Sequence, residues 1–277
     1  MPKKIINTFI KNANIMRAVA LATYKEWAAY RSHVLVSLFV GPVYFLVQVF
    51  IWKAVYAARG TVNGLTLEQM ITYFGVSVLM NYLIMDFADW NLQMLVHTGK
   101  FLTYMLRPMS HVYFALSQKV GHRLLGFAIE FIPVYLIFFL IFRISLIPAS
   151  PVYAAISIIL GFLMMFLVDY CIGITAFWLT RTSGVRRMFL VLRNICSGVF
   201  LPLVFYPMPV QKVLFFLPFQ FIAYVPARVC IGSYELGGIT VQIPRIVGIQ
   251  AIAVMVMSLL TVGFFKLGIR KFTGVGT

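Results

Sequence analysis

Four carboxylates fall inside apolar stretches of the sequence, where an ionised side chain is costly and is often functional. Asp86 and Asp89 lie near the end of one stretch, Glu130 lies in the next, and Asp169 lies in a third. Because a buried carboxylate pairs or takes up a proton, each has two interpretations. It fixes packing through an interhelical hydrogen bond, or it lines the path of a transported molecule or of protons. The candidate loop partners of Asp86 and Asp89 are Lys100 and Arg123.

No other residues form a recognisable catalytic set. The only Gly-Lys pair, Gly99-Lys100, lacks the upstream glycine of a phosphate-binding loop and precedes Phe101 instead of Ser or Thr. No H-E-x-x-H or G-x-S-x-G segment is present, and the four histidines lack ligand spacing with carboxylates. The sequence therefore predicts no catalytic residue, no metal site and no cofactor bound by this chain. Energy for any transport must come from another subunit or from an ion gradient.

The elements that carry the carboxylates are predicted to span a membrane. Of 277 residues, 62% are hydrophobic and only 11% are charged, against about 25% charged in soluble domains. A spanning helix needs about 20 apolar residues. We therefore predict an all-α integral membrane protein with six transmembrane helices. The predicted spans are 34–57, 70–90, 120–142, 152–179, 188–205 and 246–267.

The net charge of +16 is explained by topology, because Lys and Arg collect in cytoplasmic segments. With both termini in the cytoplasm, 17 cations lie inside and six outside, so a nucleic-acid partner is not needed to explain the charge. The inside cations are Lys3, Lys4, Lys11, Arg17, Lys25, Arg31, Lys100, Arg107, Lys119, Arg123, Arg181, Arg186, Arg187, Arg193, Lys266, Arg270 and Lys271. The outside cations are Lys53, Arg59, Arg143, Lys212, Arg228 and Arg245.

Two segments outside the spans have distinct patterns. Residues 14–32 place most cations on one half of a helix and apolar side chains on the other, which is typical of an interfacial helix. Glu26 interrupts the apolar half, and it either pairs with nearby cations or contacts a cytoplasmic partner. Residues 201–233 are apolar but carry five prolines, so one continuous spanning helix is excluded. Short helical pieces dipping into the outer leaflet fit this composition.

The segment "GKFLTYMLRPM" (99–109) follows the second span. It predicts a short amphipathic helix that begins after Gly99 and stops before Pro108. We expect this helix to present apolar side chains, which need a covering partner. They either dip into lipid headgroups or dock a soluble protein. The predicted apolar side chains are Phe101, Leu102, Tyr104, Met105 and Leu106.

Four landmarks in this order resemble the permease subunits of ABC-2 type transporters, in particular a six-span group of uncharacterised ABC-2 permeases. The first two are "LTLEQMITYF" (65–74) and "GKFLTYMLRPMS" (99–110). The others are "AFWLTRTSGVRR" (176–187) and "SGVFLPLVFYPMPVQKVLFFLPFQFIAYVPARVCIGS" (197–233). The resemblance covers nearly the whole chain. Each landmark alone is weak, but the ordered set is fairly specific.

The resemblance implies a domain layout and two sets of site residues. Residues 1–33 would be a cytoplasmic tail with the interfacial helix, and 34–277 the permease domain, with a coupling helix at 99–109 and a re-entrant extracellular segment at 203–233. The implied ATPase-coupling residues are Glu26, Gly99, Lys100, Phe101, Leu102, Tyr104, Leu106, Arg107, Pro108, Arg186 and Arg187. The implied extracellular gate comprises Pro202, Pro207, Pro218, Pro226 and Arg228. Candidate path or interhelical polar residues are Asp86, Glu130 and Asp169.

The same resemblance implies an ATP-driven exporter of the bacterial inner membrane. Two cytoplasmic ATPase subunits, which bind ATP and Mg, would dock under a pore formed by two permeases. The second permease would be a similar six-span protein or a second copy of this chain. Two alternatives remain open: an ion-gradient-driven transporter, which often shows an internal repeat, and a membrane enzyme or assembly factor.

Overall fold

The computed structural model describes residues 2–29, 31–57, 60–107, 109–144, 146–179 and 182–272, without the side chains of 2–12, 31–35 and 37. These residues are mostly helical. The α-helices are α1 Pro2–Ala28, α2 Arg31–Tyr56, α3 Leu67–Ile84, α4 Ala88–His97, α5 Phe101–Met105, α6 His111–Gly126, α7 Ile132–Leu140, α8 Pro151–Ile174, α9 Ser183–Cys196, α10 Met208–Phe216, α11 Tyr224–Ile231 and α12 Ile243–Ile269. The strands are β1 Thr61–Val62, β2 Leu65–Thr66, β3 Tyr234–Leu236 and β4 Ile239–Val241.

Within the described residues, five helical stretches are long and apolar enough to cross a membrane, and they correspond to five of the six predicted spans. A π-helix at Phe127–Phe131 joins α6 to α7, so that these form one stretch. The five stretches are Leu38–Tyr56, Leu67–His97, His111–Leu140, Pro151–Phe177 and Ile243–Ile269.

The continuous fifth helix predicted over 188–205 is not observed. Helix α9 ends at Cys196, and a turn through Gly198 precedes a 3-10 helix at Leu203–Phe205. At 1.5 Å per residue, its 14 residues extend about 21 Å, short of the roughly 30 Å hydrocarbon core. The apolar composition of 188–205 predicted a span because composition does not reveal the turn.

Two antiparallel hairpins lie at one end of the helices, and α5 lies at the other. Hairpin β1–β2 leads into α3 through a capping box in which Thr66 and Gln69 bond each other's backbone N–H groups. Hairpin β3–β4, which the sequence did not predict, leads into α12. We call these two sides the hairpin end and the α5 end.

Helix α8 lies at the centre of the bundle and packs against α3, α4, α11 and α12. A buried polar link joins α8 and α12 to the 3-10 helix Pro218–Phe221. Ser157 of α8 donates to Gln250 Oε1 of α12 at 2.7 Å, and Gln250 Nε2 donates to the Phe221 carbonyl at 2.9 Å. These hydrogen bonds satisfy polar groups inside an apolar core, where an unpaired group would be costly.

Helix α1 packs along α6, and its apolar half only partly faces the bundle. Gly121 of α6 permits the contact, because a Cβ there would lie 2.1 Å from the Ala20 carbonyl oxygen. Ala20 and Thr23 are buried, whereas Ala22, which the pattern placed on the apolar half, is exposed. The helix begins well before residue 14, so the interfacial prediction located the right element but underestimated its length.

Candidate functional site

The helix of the second predicted span is interrupted near its two carboxylates, Asp86 and Asp89. Helix α3 ends at Ile84, α4 begins at Ala88, and Asp86 lies in the non-helical link between them. The Phe87 N–H donates to Asp86 Oδ1 at 2.8 Å, which satisfies one backbone group freed by the break. Irregular backbone at membrane depth is tolerated where it is covered by protein or lines a cavity. The break is therefore the first place to seek a functional site.

A cavity of about 400 Å³ lies beside this break, within the range of small-molecule sites. Its walls come from α1, α4 and α6, with the Arg186 side chain of α9 completing them. Both aromatic and charged side chains line it, so it suits an amphipathic molecule better than a purely apolar one. The lining residues are Thr23, Trp27, Asp86, Phe87, Ala88, Trp90, Asn91, His111, Ala115, Gln118, Lys119, His122 and Arg186.

Asp86 faces a buried lysine across the cavity wall. Its Oδ2 lies 3.6 Å from Lys119 Nζ, and both side chains are largely buried. The ammonium also donates to the Phe162 carbonyl at 2.8 Å and lies 4.3 Å from the Phe162 ring centroid. Asp86 Oδ2 accepts no hydrogen bond within the described part of the chain. This oxygen is itself buried, and Lys119 is its counter-charge.

The next two carboxylates connect helices to α9. Arg186 donates to Asp89 Oδ2 at 2.5 Å, which links α9 to α4. Arg193 donates to Asp169 Oδ1, which links α9 to α8, and both of these side chains are buried. The Asp169 contact is an interhelical bond, as one of the two interpretations proposed. Being buried in this pair does not by itself make Asp169 part of a transport path.

Among the described residues, neither predicted loop cation forms an ion pair with Asp86 or Asp89 within 4.0 Å, although Arg123 interacts electrostatically with Asp86. The cations paired with Asp86 and Asp89 come from helices, Lys119 of α6 and Arg186 of α9, while Lys100 is exposed at the end of α4. Arg123 instead lies 4.0 Å from Glu130 and donates to the Tyr82 carbonyl at 2.7 Å. Sequence proximity favoured the loop cations, but the fold places the helices closer.

Glu130 lies in the π-helix that joins α6 to α7. A proline at position 133 removes a backbone donor from this region, and a π-turn is one way in which a helix accommodates such a disturbance. The widened turn lets Glu130 reach back two turns to Arg123. Its carboxylate thus pairs with Arg123 along one helical stretch, and it also interacts electrostatically with Tyr82 of α3.

Helix α5 lies across the end of the bundle and is anchored by one ring. Phe101 is buried with 1% exposure and contacts Phe177, Phe265 and Phe272 edge to face. The expectation that Phe101 is presented outward is therefore wrong. A one-turn amphipathic helix must turn one face inward, and the aromatic side chain occupies that face.

The opposite face of α5 is apolar and open. Leu102, Met105 and Leu106 are 45%, 51% and 89% exposed. Tyr104 is half-buried, and the Arg107 guanidinium lies 4.2 Å from its ring centroid and 4.7 Å from that of Phe114. This stacking holds the cation beside the apolar face. We call Leu102, Met105, Leu106 and Arg107 the α5 patch.

The remaining coupling candidates differ in their exposure and contacts. Glu26, Lys100 and Arg187 are exposed, and Glu26 shows no ion pair with a described cation. Arg186 is held in its pair with Asp89, so it is a structural residue as well as a surface one. Gly99 has φ +70°, which glycine adopts without strain and which ends α4 before α5. The predicted residue Pro108 lies outside the described residues.

At the hairpin end, the proline-rich segment forms short pieces as predicted. These are α10, a 3-10 helix at Pro218–Phe221, and α11. Two of the predicted gate prolines, Pro202 and Pro226, are buried, whereas Pro207 is exposed and Pro218 is half-buried. Their role in gating stays a prediction. Arg228 is buried in α11.

Sequence reasoning missed several residues of the site. Lys119 and Arg193 were counted only as topology cations, and Trp27, Trp90 and His122 were not linked to a cavity. The available signal was position, because Arg193 lies inside the predicted span 188–205, where an unpaired cation would be costly, and Lys119 directly precedes the predicted span 120–142. That signal predicts some partner but does not identify it.

Comparison with protein families decides which group the chain belongs to. The model of the ABC-2 family transporter protein matches residues 43–276. The chain belongs to the ABC-2 transporter family. The match confirms the resemblance and includes the broken span, α5 and the hairpin end of this ABC-2 protein, whereas α1 precedes it. Among curated proteins and solved structures, no match is found. With five helices able to span, this ABC-2 protein is a multi-pass membrane permease.

Proposed function

We propose that the chain is the membrane subunit of an ATP-driven ABC-2 exporter that forms half of the pore and couples to a separate ATPase. Six membrane crossings are part of this proposal, with α9 and the following short helices making the fifth. The α5 end faces the cytoplasm, as the distribution of cations predicts. Both termini lie on that side, in the inner membrane of a bacterium.

The α5 patch is the single observation that carries the proposal. An anchored helix that exposes three large apolar side chains and a stacked arginine has the composition of a protein interface core. Phe101 fixes the helix to α12 and to the 3-10 helix Thr175–Phe177 that follows α8 through aromatic contacts, so a push on the patch reaches the bundle directly. A connector that only joined two spans would need neither feature.

In this proposal, the ion pairs between helices transmit the movement of α5 to the rest of the bundle. Helix α4 precedes α5, and Asp89 of α4 holds Arg186 of α9, which in turn is tied to α8 through Arg193. Two ATPase subunits that close on ATP and Mg would drive the two α5 helices of the dimer together. In this mechanism α4, α8 and α9 move as a unit and switch the pore between inward-open and outward-open states.

The cavity beside the broken span fits the inner entry of the transport path. It lies at the α5 end between α1 and the bundle, where a molecule from the inner leaflet would arrive. Asp86 lines this entry beside its counter-charge, Lys119. Asp169 is held by Arg193, so it serves packing in this mechanism.

The first test is recovery of the partner. The chain is purified from its native membrane in mild detergent, and the associated proteins are identified by mass spectrometry. A co-purifying subunit with a P-loop, with or without a second permease, supports the proposal and shows whether the pore is a homodimer or a heterodimer. Repeated recovery of the intact chain alone contradicts it.

The second test targets the α5 patch. The Leu106→Asp, Arg107→Glu double variant should insert and fold normally but lose ATPase recovery and stimulation of ATP hydrolysis, because a charge now occupies the apolar contact. Lys271→Glu, an exposed cation at the same end, is the matched control and should retain both. Normal ATPase recovery and stimulation with the double variant would remove the coupling role from α5.

A further inference from the structure

The cavity beside the interrupted span is a long groove, and its longest wall is one face of α6. His111, Ala115, Gln118 and His122 line the cavity and recur at intervals of four, three and four residues. This spacing places them on one side of the helix. At 1.5 Å per residue, the face extends about 16 Å along the helix axis. The groove therefore has room along α6 for a molecule with both an apolar and a polar part.

One part of the groove is an aromatic row. The ring centroids of Trp27 and His122 lie 4.1 Å apart, and those of Phe87 and His122 lie 6.3 Å apart. The row therefore joins α1, α6 and the link before α4. Trp90 of α4 also lines the groove and is 50% exposed. Rings at such distances stack on one another and present an apolar surface to a ligand.

The charged side chains of the groove differ in their access to a ligand. Three charged residues are among the described lining, Asp86, Lys119 and Arg186. Asp86 and Lys119 face each other with side chains that are 8% and 2% exposed. The Arg186 side chain is 25% exposed. A molecule in the groove therefore meets a guanidinium more readily than a carboxylate.

Arg186 also keeps hydrogen-bonding capacity at its outer end. Its Nε donates to Asp89, the only hydrogen bond of this side chain within the described residues. The two terminal nitrogens, whose paired N–H groups match the geometry of an oxyanion, have no acceptor there. Because Asp89 holds the guanidinium in the wall, little order is lost when a ligand binds it. The Gln118 and Asn91 amides line the same groove, and no hydrogen bond of either is found among the described residues.

We propose that this groove binds an amphipathic anion, a molecule that joins an apolar body to a sulfonate, phosphate or carboxylate group. The anionic group bonds the terminal nitrogens of Arg186, and the apolar body lies against the aromatic row. Anionic lipids and soluble amphipathic acids share this chemistry. That the molecule is the cargo rests on the proposed function, but its binding in the groove does not.

Two probes that differ by one group test the need for an anion. Anilinonaphthalene sulfonate carries a sulfonate, whereas phenylnaphthylamine has the same rings without it. Their affinities for the purified full chain in uncharged detergent are measured by energy transfer from tryptophan, because Trp27 and Trp90 line the groove. The ratio of the two affinities is compared between the natural chain and each variant, so that partition of the probes into micelles cancels.

Arg186→Lys tests the guanidinium without removing the cation. It should lower the affinity for the sulfonate about tenfold, the loss expected for one charge-assisted hydrogen bond, and leave that for phenylnaphthylamine unchanged. The single lysine nitrogen still pairs with Asp89, but the two terminal nitrogens are gone. Arg270→Lys, an exposed arginine at the same end, is the matched control and should change neither affinity.

A second variant tests where the probes bind. Ala115 lies in the middle of the α6 face, so Ala115→Leu should fill the groove and weaken the binding of both probes. Ala22→Leu, at an exposed position of α1, is its control. Competition then identifies the natural source of the anion. Displacement of the sulfonate by dioleoylphosphatidylglycerol assigns the groove to an anionic lipid, and its retention assigns the groove to a soluble amphipathic acid.

Two outcomes overturn the proposal. If Arg186→Lys leaves the ratio of the two affinities unchanged, the guanidinium does not recognise the anionic group. If Ala115→Leu leaves both affinities unchanged, the probes bind outside the groove. None of these measurements uses an ATPase, so failure here and failure of the coupling proposal are seen independently.

Discussion

Cations at the two ends of the molecule differ in whether they have a carboxylate partner. At the α5 end, each cation of the buried network faces a carboxylate within 4.0 Å, and three of these four pairs join separate elements. At the hairpin end, Arg228 is buried and faces no carboxylate among the described residues, whereas Arg186 at the α5 end is partly exposed and paired. The paired cations at the α5 end are Lys119, Arg123, Arg186 and Arg193.

The difference separates two uses of a charge inside a membrane domain. Burying an ion pair costs the desolvation energy of two charged groups, but the pair specifies which helices meet. An unpaired buried charge makes no such specification, and its desolvation is not compensated by a counter-charge. The ion pairs of the α5 end therefore help to specify which helices meet there, whereas Arg228 makes no such pair with a described carboxylate at the hairpin end.

The largest expected effect comes from breaking the most buried pair. Asp169→Asn leaves Arg193 without its counter-charge, and such a change costs about 3–5 kcal/mol of unfolding free energy. Unfolding in detergent by guanidinium or heat measures the loss. The Asp169→Leu, Arg193→Leu double variant is the control and should recover most of it, because no charge remains buried. Equal loss in the single and double variants would show that the pair is not what stabilises α9.

A smaller effect is expected where α1 meets α6. Gly121→Ala places a methyl group against the Ala20 backbone, and overpacking of this kind costs about 1–3 kcal/mol. Limited proteolysis should then release α1 faster than in the natural chain. Gly248→Ala in α12 is the matched control, because nothing lies within 4 Å of its Cβ. If both variants behave alike, the close approach is not what holds α1.

The Asp86–Lys119 pair should show measurable coupling despite its 3.6 Å separation. In a double-mutant cycle of Asp86→Asn and Lys119→Met, unfolding free energies should differ from additivity by roughly 0.5–3 kcal/mol, the range for contacting residues. Additivity within about 0.5 kcal/mol would mean that each side chain relies on other contacts, and Asp86 would then be free to serve the cavity alone.

The smallest effect on stability is expected at Arg228. In the delipidated protein, Arg228→Gln should leave the unfolding free energy unchanged within about 0.5 kcal/mol or raise it, because it removes an uncompensated charge. Lys119→Met serves as the paired comparison and should lower it. A clear loss of stability for Arg228→Gln without lipid would remove the contrast between the two ends.

Much of the fold was predictable because membrane segments obey strong local rules. The apolar stretches located five spans, the prolines after residue 201 predicted short helices, and Gly99 predicted the start of α5. The fifth span failed because apolar composition does not distinguish a spanning helix from a shorter one followed by a turn. For α5, sequence identified the helix but assigned Phe101 to the wrong face.

The sequence by itself determined a membrane protein of the ABC-2 transporter family. It also located the four carboxylates that form ion pairs in the structure. Only the tertiary structure decided their partners, because Asp89 and Arg186 are 97 residues apart and meet through helix packing. It also decided that Phe101 anchors α5 and that Arg228 lacks a described carboxylate partner. The positions of the spans follow from the free energy of each segment in lipid, which its own composition sets. The pairing of charged side chains depends on which helix faces approach one another.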